Sequence, residues 1–207
     1  MKIIIVSHYK RSDWVRKLLE VFPGAFVVTD YLERGSLWAH TEAINIAAML
    51  GERCIIMEDD AIPVKGFEPW ADYWINRHPG SLISFYLGTG RPTEWQDWVD
   101  GAIDLARELR PHELREWIMM SRLLHGVCYT FPPDQAQRIA DGLKRLNGRV
   151  KAADVAVGKA WGDHIVYTVQ SLVEHRDQGS VEKHPDGQPR TEPRVARFLA
   201  GPLAYDR

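Results

Sequence analysis

An apolar run that ends in three acids constrains this chain more than any other feature. Residues 54–57 read Cys-Ile-Ile-Met, and Glu58, Asp59 and Asp60 follow directly. A short apolar run with β-branched residues is typical of a strand buried in a parallel sheet, and open α/β sheets bind ligands beyond the carboxyl ends of such strands. Neighbouring carboxylates repel one another unless a cation, hydrogen-bond donors or water compensates them. The run predicts a divalent metal that holds a diphosphate, with a solvated acidic strand end as the alternative.

The first third of the chain alternates between strand and helix patterns. Apolar runs at 2–7, 25–29 and 54–57 predict strands. Between them lie a helix that Asp13 can cap and a second helix over 36–50, which Gly51 ends. This β-α-β-α-β order with short connections predicts one α/β domain with a parallel sheet and right-handed crossovers.

The rest of the chain continues the alternation and then changes character. Helices are predicted at 67–77, from a capping box at 93 to about 109, from Pro133 and from Asp154 to 160, and strands at 81–87, 127–131 and 165–173. Pro, Gly and Arg dominate the last part of the chain. We therefore predict a catalytic domain over 1–181 and a basic C-terminal tail over 182–207.

Composition narrows the class of protein. The chain has 207 residues and a formal net charge of -2, so no global basic field argues for nucleic acid. No apolar run approaches the ~20 residues of a membrane span, and the apolar start is too short for a signal peptide. Cys54 and Cys128 lie in apolar runs and are expected to be reduced core residues. A cytoplasmic enzyme is the expectation from these features.

A resemblance to a known family adds to this interpretation. Residues 56–61 (Ile-Met-Glu-Asp-Asp-Ala) resemble the acidic motif of GT-A-fold glycosyltransferases, especially the lipopolysaccharide-type family 25 and small phage-encoded relatives. The segments 35–41, 125–131 and 171–175, together with Asp154, are similar to further parts of that family and occur in the same order. The resemblance covers roughly residues 1–181, and it departs from the family at Ala39 and Gln170.

This resemblance implies a fold, a cofactor and a set of site residues. The fold would be GT-A-like (Rossmann-like), with a mostly parallel central sheet flanked by helices. Mn²⁺ or Mg²⁺ would be bound by Asp60 or Asp59 and by His175, and would hold the diphosphate of a nucleotide sugar, with UDP as the expected nucleotide. The remaining residues expected around the donor are Ser7, His8, Tyr9, Arg11, Asp30, His40, Glu58 and Ser180.

The expected reaction is transfer of a sugar to a hydroxyl group. An inverting enzyme needs a general base, for which Asp154 is the first candidate and Asp163 the second, whereas a retaining enzyme needs none. Helix capping is the alternative role of Asp154. The acceptor could be a glycan, a protein or a hydroxylated base of phage-type DNA. A metal-dependent nucleotidyltransferase and a catalytically silent carbohydrate- or protein-binding module are the competing hypotheses, and the oligomeric state stays open.

Overall fold

The apolar runs of the sequence form the strands of a central sheet. The computed structural model describes residues 1–146, 149–176 and 193–206. Seven strands make up the central sheet, in the order β2-β1-β3-β7-β5-β8-β6, and the other strands form two small pairs. The strands of the described residues are β1 (Lys2–His8), β2 (Phe26–Asp30), β3 (Cys54–Glu58), β4 (Ala61–Pro63), β5 (Leu82–Ser84), β6 (Trp117–Met120), β7 (Cys128–Thr130), β8 (Ile165–Thr168), β9 (Gln170–Ser171), β10 (Val173–His175) and β11 (Phe198–Leu199).

Helices cover both faces of this sheet. Because side chains alternate along a strand, Ile4 and Ile56 pack into one apolar cluster, whereas Ile3, Ile5 and Ile55 pack into the other. The helices are α1 (Ser12–Val21), α2 (Ser36–Leu50), α3 (Phe67–Arg77), α4 (Gln96–Leu109), α5 (Ala136–Leu146) and α6 (Ala153–Trp161). The first cluster lies under α2, α4, α5 and α6, and the second under α1 and α3, so both sheet faces are buried.

The central sheet is mixed, so the prediction of a mostly parallel sheet was wrong. Strand β1 runs parallel to β2 and β3, and β5 runs parallel to β8. Strand β7, however, is antiparallel to both β3 and β5, and β6 is antiparallel to β8. An apolar strand buried on both faces fits either direction, so the pattern of burial carries no information about strand direction.

Several helix predictions are confirmed, and several cap predictions are wrong. Helix α2 ends at Gly51, which adopts a left-handed conformation (φ 64°), and α3 has the predicted bounds. Thr93 does not cap a helix, because a 3₁₀ turn precedes α4. Asp13 and Asp154 lie inside the first turns of α1 and α6 rather than at their N-caps. Strands β4 and β6 were not predicted, and the run 165–173 is divided among β8, β9 and β10.

The end of the chain packs against the domain. Strand β11 pairs in parallel with β9, and isolated bridges join Ala196 to Gly88 and Leu203 to Val64. The hydroxyl of Tyr205 donates to the carbonyl oxygen of Ala61 at 3.1 Å. Residues 193–206 of the predicted tail therefore pack against the predicted catalytic domain, whereas 182–192 and 207 lie outside the described residues. In the ranges that are described, no helix has the length and apolar character needed to cross a membrane.

Candidate functional site

The acids that follow β3 lie at one edge of the sheet, next to the end of β1. The parallel register places Glu58 opposite Val6, and the amide of Asp59 donates to the carbonyl oxygen of Val6 at 2.9 Å. The amide of His8 in turn donates to Asp59 Oδ2 at 2.9 Å. The backbone thus draws the carboxyl ends of β1 and β3 together, which is where open α/β sheets bind ligands.

A guanidinium group bridges the two aspartates. Arg11 Nη1 lies 2.8 Å from Asp59 Oδ1 and 2.7 Å from Asp60 Oδ2, and all three side chains are largely buried. The role of Arg11 at a donor phosphate stays a prediction; in the structure its guanidinium offsets part of the charge of the acid pair. Burial and the charge of Asp60 raise the pKa of Asp59 to about 6, against the lowering effect of Arg11.

A histidine from another strand completes this cluster. Strand β10 pairs antiparallel with β4, which follows directly after Asp60, and places His175 opposite Ala61. His175 Nε2 is 3.5 Å from Asp60 Oδ2 and 3.2 Å from Nη2 of Arg194. Burial acts to raise the pKa of Asp60. The pKa is nevertheless lowered by the hydrogen bond and charge of His175 and by the charges of Arg11 and Arg194. Asp60 is therefore ionised at neutral pH.

Several buried polar atoms of this cluster lack a hydrogen-bond partner among the described residues, including Nε of Arg11 and of Arg194. Asp60 Oδ1 and His175 Nδ1 have no hydrogen-bond partner among the described residues. Buried polar atoms are normally paired, so these two are candidates for binding a cation. Within the same ranges, no three His, Cys, Asp or Glu side chains are arranged to hold a metal. A cation bound here would therefore need most of its ligands from substrate phosphates and water, because the described side chains supply no complete cage.

Glu58 belongs to a second cluster, on the other side of β3. His40, which is fully buried in α2, has Nε2 at 3.1 Å from Glu58 Oε1 and Nδ1 at 2.9 Å from the hydroxyl of Tyr129. A Cβ atom on Gly126 would lie 3.1 Å from Glu58 Oε1, so the glycine leaves room for this carboxylate. Glu58 keeps 24% of its side chain exposed, so part of this side chain stays open to solvent while His40 holds it.

Asp154 is electrostatically coupled to this second cluster. It lies in the first turn of α6, and its carboxylate accepts the amide of Val155 at 2.7 Å. Burial and the charge of Glu58 raise the pKa of Asp154 to about 6, although the amide of Val155 acts in the opposite direction. A general base works best when its pKa lies near the operating pH, so the environment of Asp154 suits proton transfer.

The other residues predicted to surround the donor substrate make contacts within the protein. The ring of His8 stacks on Tyr9, whose hydroxyl donates to Glu33 Oε1 at 3.0 Å. Buried Ser7 lies at the end of β1. Asp30 accepts the amides of Leu32 (3.1 Å) and Gly35 (2.7 Å), and so shapes the loop before α2.

The last two predicted site residues are Asp163 and Ser180. Asp163 is 74% exposed after α6, and its Oδ1 accepts the amide of His164. That hydrogen bond lowers the pKa of Asp163, which makes it a weaker base than Asp154. Ser180 lies outside the described residues. Sequence reasoning missed Arg194 and Tyr129, because no local pattern indicates which residues of a late segment or an apolar strand will meet the site.

Comparisons with known proteins give no further assignment. No protein-family model matches this chain, and no curated protein matches its sequence. Function is therefore inferred from the residues of the site and their geometry.

Replacing Asp154 by asparagine should stabilise the fold at pH 7. It should also remove the part of the pH dependence of the unfolding free energy that comes from this carboxyl group. A carboxyl group whose pKa rises on folding contributes stability below its unfolded value of 3.8, and this stability is lost as the pH rises through about 6. The shift corresponds to about 1–3 kcal/mol at neutral pH. Chemical denaturation at pH 4 and pH 7.5 measures this difference. The exposed Asp163→Asn is the control, expected to change stability by less than about 0.5 kcal/mol, and an Asp154→Asn variant that is less stable at pH 7.5 would contradict the assigned pKa.

Proposed function

We propose that this protein is a metal-dependent glycosyltransferase of the GT-A type, which moves a sugar from a nucleotide-diphosphate donor to a hydroxyl acceptor. The observation that supports this most is the contact of Asp60 with His175 at a sheet edge, each with an unpaired buried atom. A strand-end carboxylate and an imidazole can both bind Mn²⁺ or Mg²⁺. When bound, the cation would neutralise charge on the departing nucleoside diphosphate.

The two clusters divide the proposed chemistry. Asp60 and His175 would bind the cation beside the donor diphosphate, and Arg11 would hold both aspartates ionised. Asp154 would take the proton of the acceptor hydroxyl. The hydroxyl oxygen would attack the anomeric carbon of the donor sugar while the bond from that carbon to the diphosphate breaks. Glu58, positioned by His40, would accept a hydrogen bond from the sugar or the acceptor. This assignment corresponds to an inverting transfer, because only that course needs a base.

A second candidate function is favoured by one specific contact. Arg11 bridges Asp59 and Asp60, and His175 contacts Asp60, so the acid cluster has protein partners for its charge without a metal. A binding module that has kept the fold but carries out no reaction would need only this arrangement. In that case Asp60 would serve the fold through Arg11 and His175, and no nucleotide would bind.

Calorimetry with nucleotides separates these possibilities. Under the proposal, UDP binds with Mn²⁺ at least about tenfold more tightly than without it, a difference of about 1.4 kcal/mol. A screen of UDP-, GDP- and CMP-sugars for hydrolysis then identifies the donor without knowledge of the acceptor. A marked preference for UTP with release of pyrophosphate would indicate a nucleotidyltransferase instead. Failure of every nucleotide to bind would indicate the binding module.

A further inference from the structure

A pocket lies along α6, the helix that carries Asp154, and its lining includes none of Arg11, Asp59, Asp60 and His175. It has a volume of about 350 Å³ and lies between the segment after β6, which supplies Arg122, and one side of α6, which supplies Val155 and Lys159. Small-molecule pockets usually measure about 300–1,000 Å³, so this pocket suits a ligand of about the size of one sugar.

The charged groups of this pocket favour an anion. Within the described residues, neither the Arg122 guanidinium nor the Lys159 ammonium lies within 4.0 Å of a carboxylate. Asp163 also lines the pocket, and its Oδ1 accepts the backbone amide of His164 and lies 3.3 Å from His164 Nδ1. Arg122 and Lys159 therefore line one concave surface without a close ion pair, and together they outnumber the one carboxylate, Asp163, that also lines it. An oxyanion placed there would accept charge-assisted hydrogen bonds from both cations.

The end of α6 does not oppose an anion in this position. The last carbonyl groups of a helix carry partial negative charge, which would repel an anion beside them. Here Arg138 donates to the carbonyl oxygen of Ala160 at 3.1 Å and to that of Trp161 at 3.0 Å. The carbonyl groups at this helix end are therefore already compensated by a cation outside the pocket.

The pocket also adjoins the proposed base. Val155 lines it, and Asp154 is the preceding residue on the same helical turn. The charge of Arg122 also acts, as a small contribution, to lower the pKa of Asp154. A sugar whose charged group contacts Arg122 and Lys159 would thus lie close to Asp154.

We propose that this pocket binds the acceptor, and that the acceptor is a sugar unit carrying a phosphate or carboxylate group. The identification as the acceptor site rests on the proposed glycosyl transfer, whereas binding of the anionic sugar does not. Arg122 and Lys159 would hold the charged group, and the ligand would direct a hydroxyl toward Asp154.

Calorimetric titration with three sugars tests this proposal. Glucose 6-phosphate and glucuronate separate a phosphate from a carboxylate ligand, and uncharged glucose controls for the ring alone. We expect at least one charged sugar to bind at least about tenfold more tightly than glucose. The variant Arg122→Gln/Lys159→Gln should lose at least about tenfold of that affinity. Equal binding of all three sugars would overturn the proposal.

A matched variant controls for the loss of two positive charges. Lys144→Gln/Arg145→Gln removes one lysine and one arginine from exposed positions on α5, and it should bind the charged sugar as the wild type does. Equal weakening by both double variants would show a general charge effect and overturn the proposal. If Arg122→Gln/Lys159→Gln does not fold, Lys159→Gln alone, at an exposed position, gives the same comparison.

A titration with UDP and Mn²⁺ in the same variants separates this proposal from the proposed function. Loss of sugar binding with UDP binding unchanged supports the pocket as a separate site. Metal-dependent UDP binding without any binding of a charged sugar would overturn the proposed acceptor pocket but not the proposed glycosyltransferase function. Binding of a charged sugar without any binding of nucleotide would overturn the proposed glycosyltransferase function. The pocket would then be a binding site for a negatively charged sugar.

Discussion

Replacing Asp60 by asparagine should reduce hydrolysis of the nucleotide-sugar donor by about 10²- to 10³-fold. Asparagine keeps the shape of the side chain but removes the negative charge that would bind a divalent cation. Groups that stabilise charge on a leaving group typically contribute a factor of this size. The measurement is donor turnover under saturating Mn²⁺, compared with turnover by the wild type.

The control for this prediction is Asp13→Asn. Asp13 lies on the exposed surface of α1 and pairs with Arg16, so turnover should not change in that variant. The Asp60→Asn variant should keep its fold, because Asp59 can still pair with Arg11. Thermal unfolding of the variant checks this. A folded Asp60→Asn variant with wild-type turnover would contradict the role given to this carboxylate.

The sequence predicted the elements of the fold better than their directions. The bounds of α3 and the end of α2 at Gly51 followed from helix periodicity and from a glycine that can adopt positive φ. Strand β7 was also predicted, but its reversed direction was not. Direction depends on how the preceding segment returns to the sheet, and a strand buried on both faces has the same apolar pattern either way.

The sequence placed the candidate site, but it missed the main compensating contact. The acids after β3 do lie at a strand end, and His175 does meet Asp60, because β4 and β10 pair there. The bridge from Arg11 to both aspartates was not predicted. It depends on how the turn after β1 orients one side chain, which no sequence pattern reports. The same contact that makes the acids tolerable without a metal therefore needs its own test.

Replacing Arg11 by methionine should destabilise the fold by about 3–5 kcal/mol at neutral pH. Methionine keeps an apolar stem that can pack on Trp14, over which the guanidinium now lies at 4.6 Å. Asp59 and Asp60 would lose the cation that they share, and removing one partner of a buried ion pair costs about this much. Chemical denaturation measures the loss. Arg16→Met, at an exposed position on α1, the helix that begins directly after Arg11, should change stability by less than about 0.5 kcal/mol.

Adding Mn²⁺ to the Arg11→Met variant tests whether a metal can take the place of the guanidinium. A cation that binds only the folded state stabilises it by about 2.7 kcal/mol at a concentration a hundredfold above its Kd, which would recover most of the loss. Because the bridge leaves Asp60 Oδ1 unpaired among the described residues, the wild type should also gain stability from Mn²⁺, but less than the variant. A variant that Mn²⁺ does not stabilise would show that these carboxylates do not bind the ion, and the cluster would then be an ion pair that serves the fold.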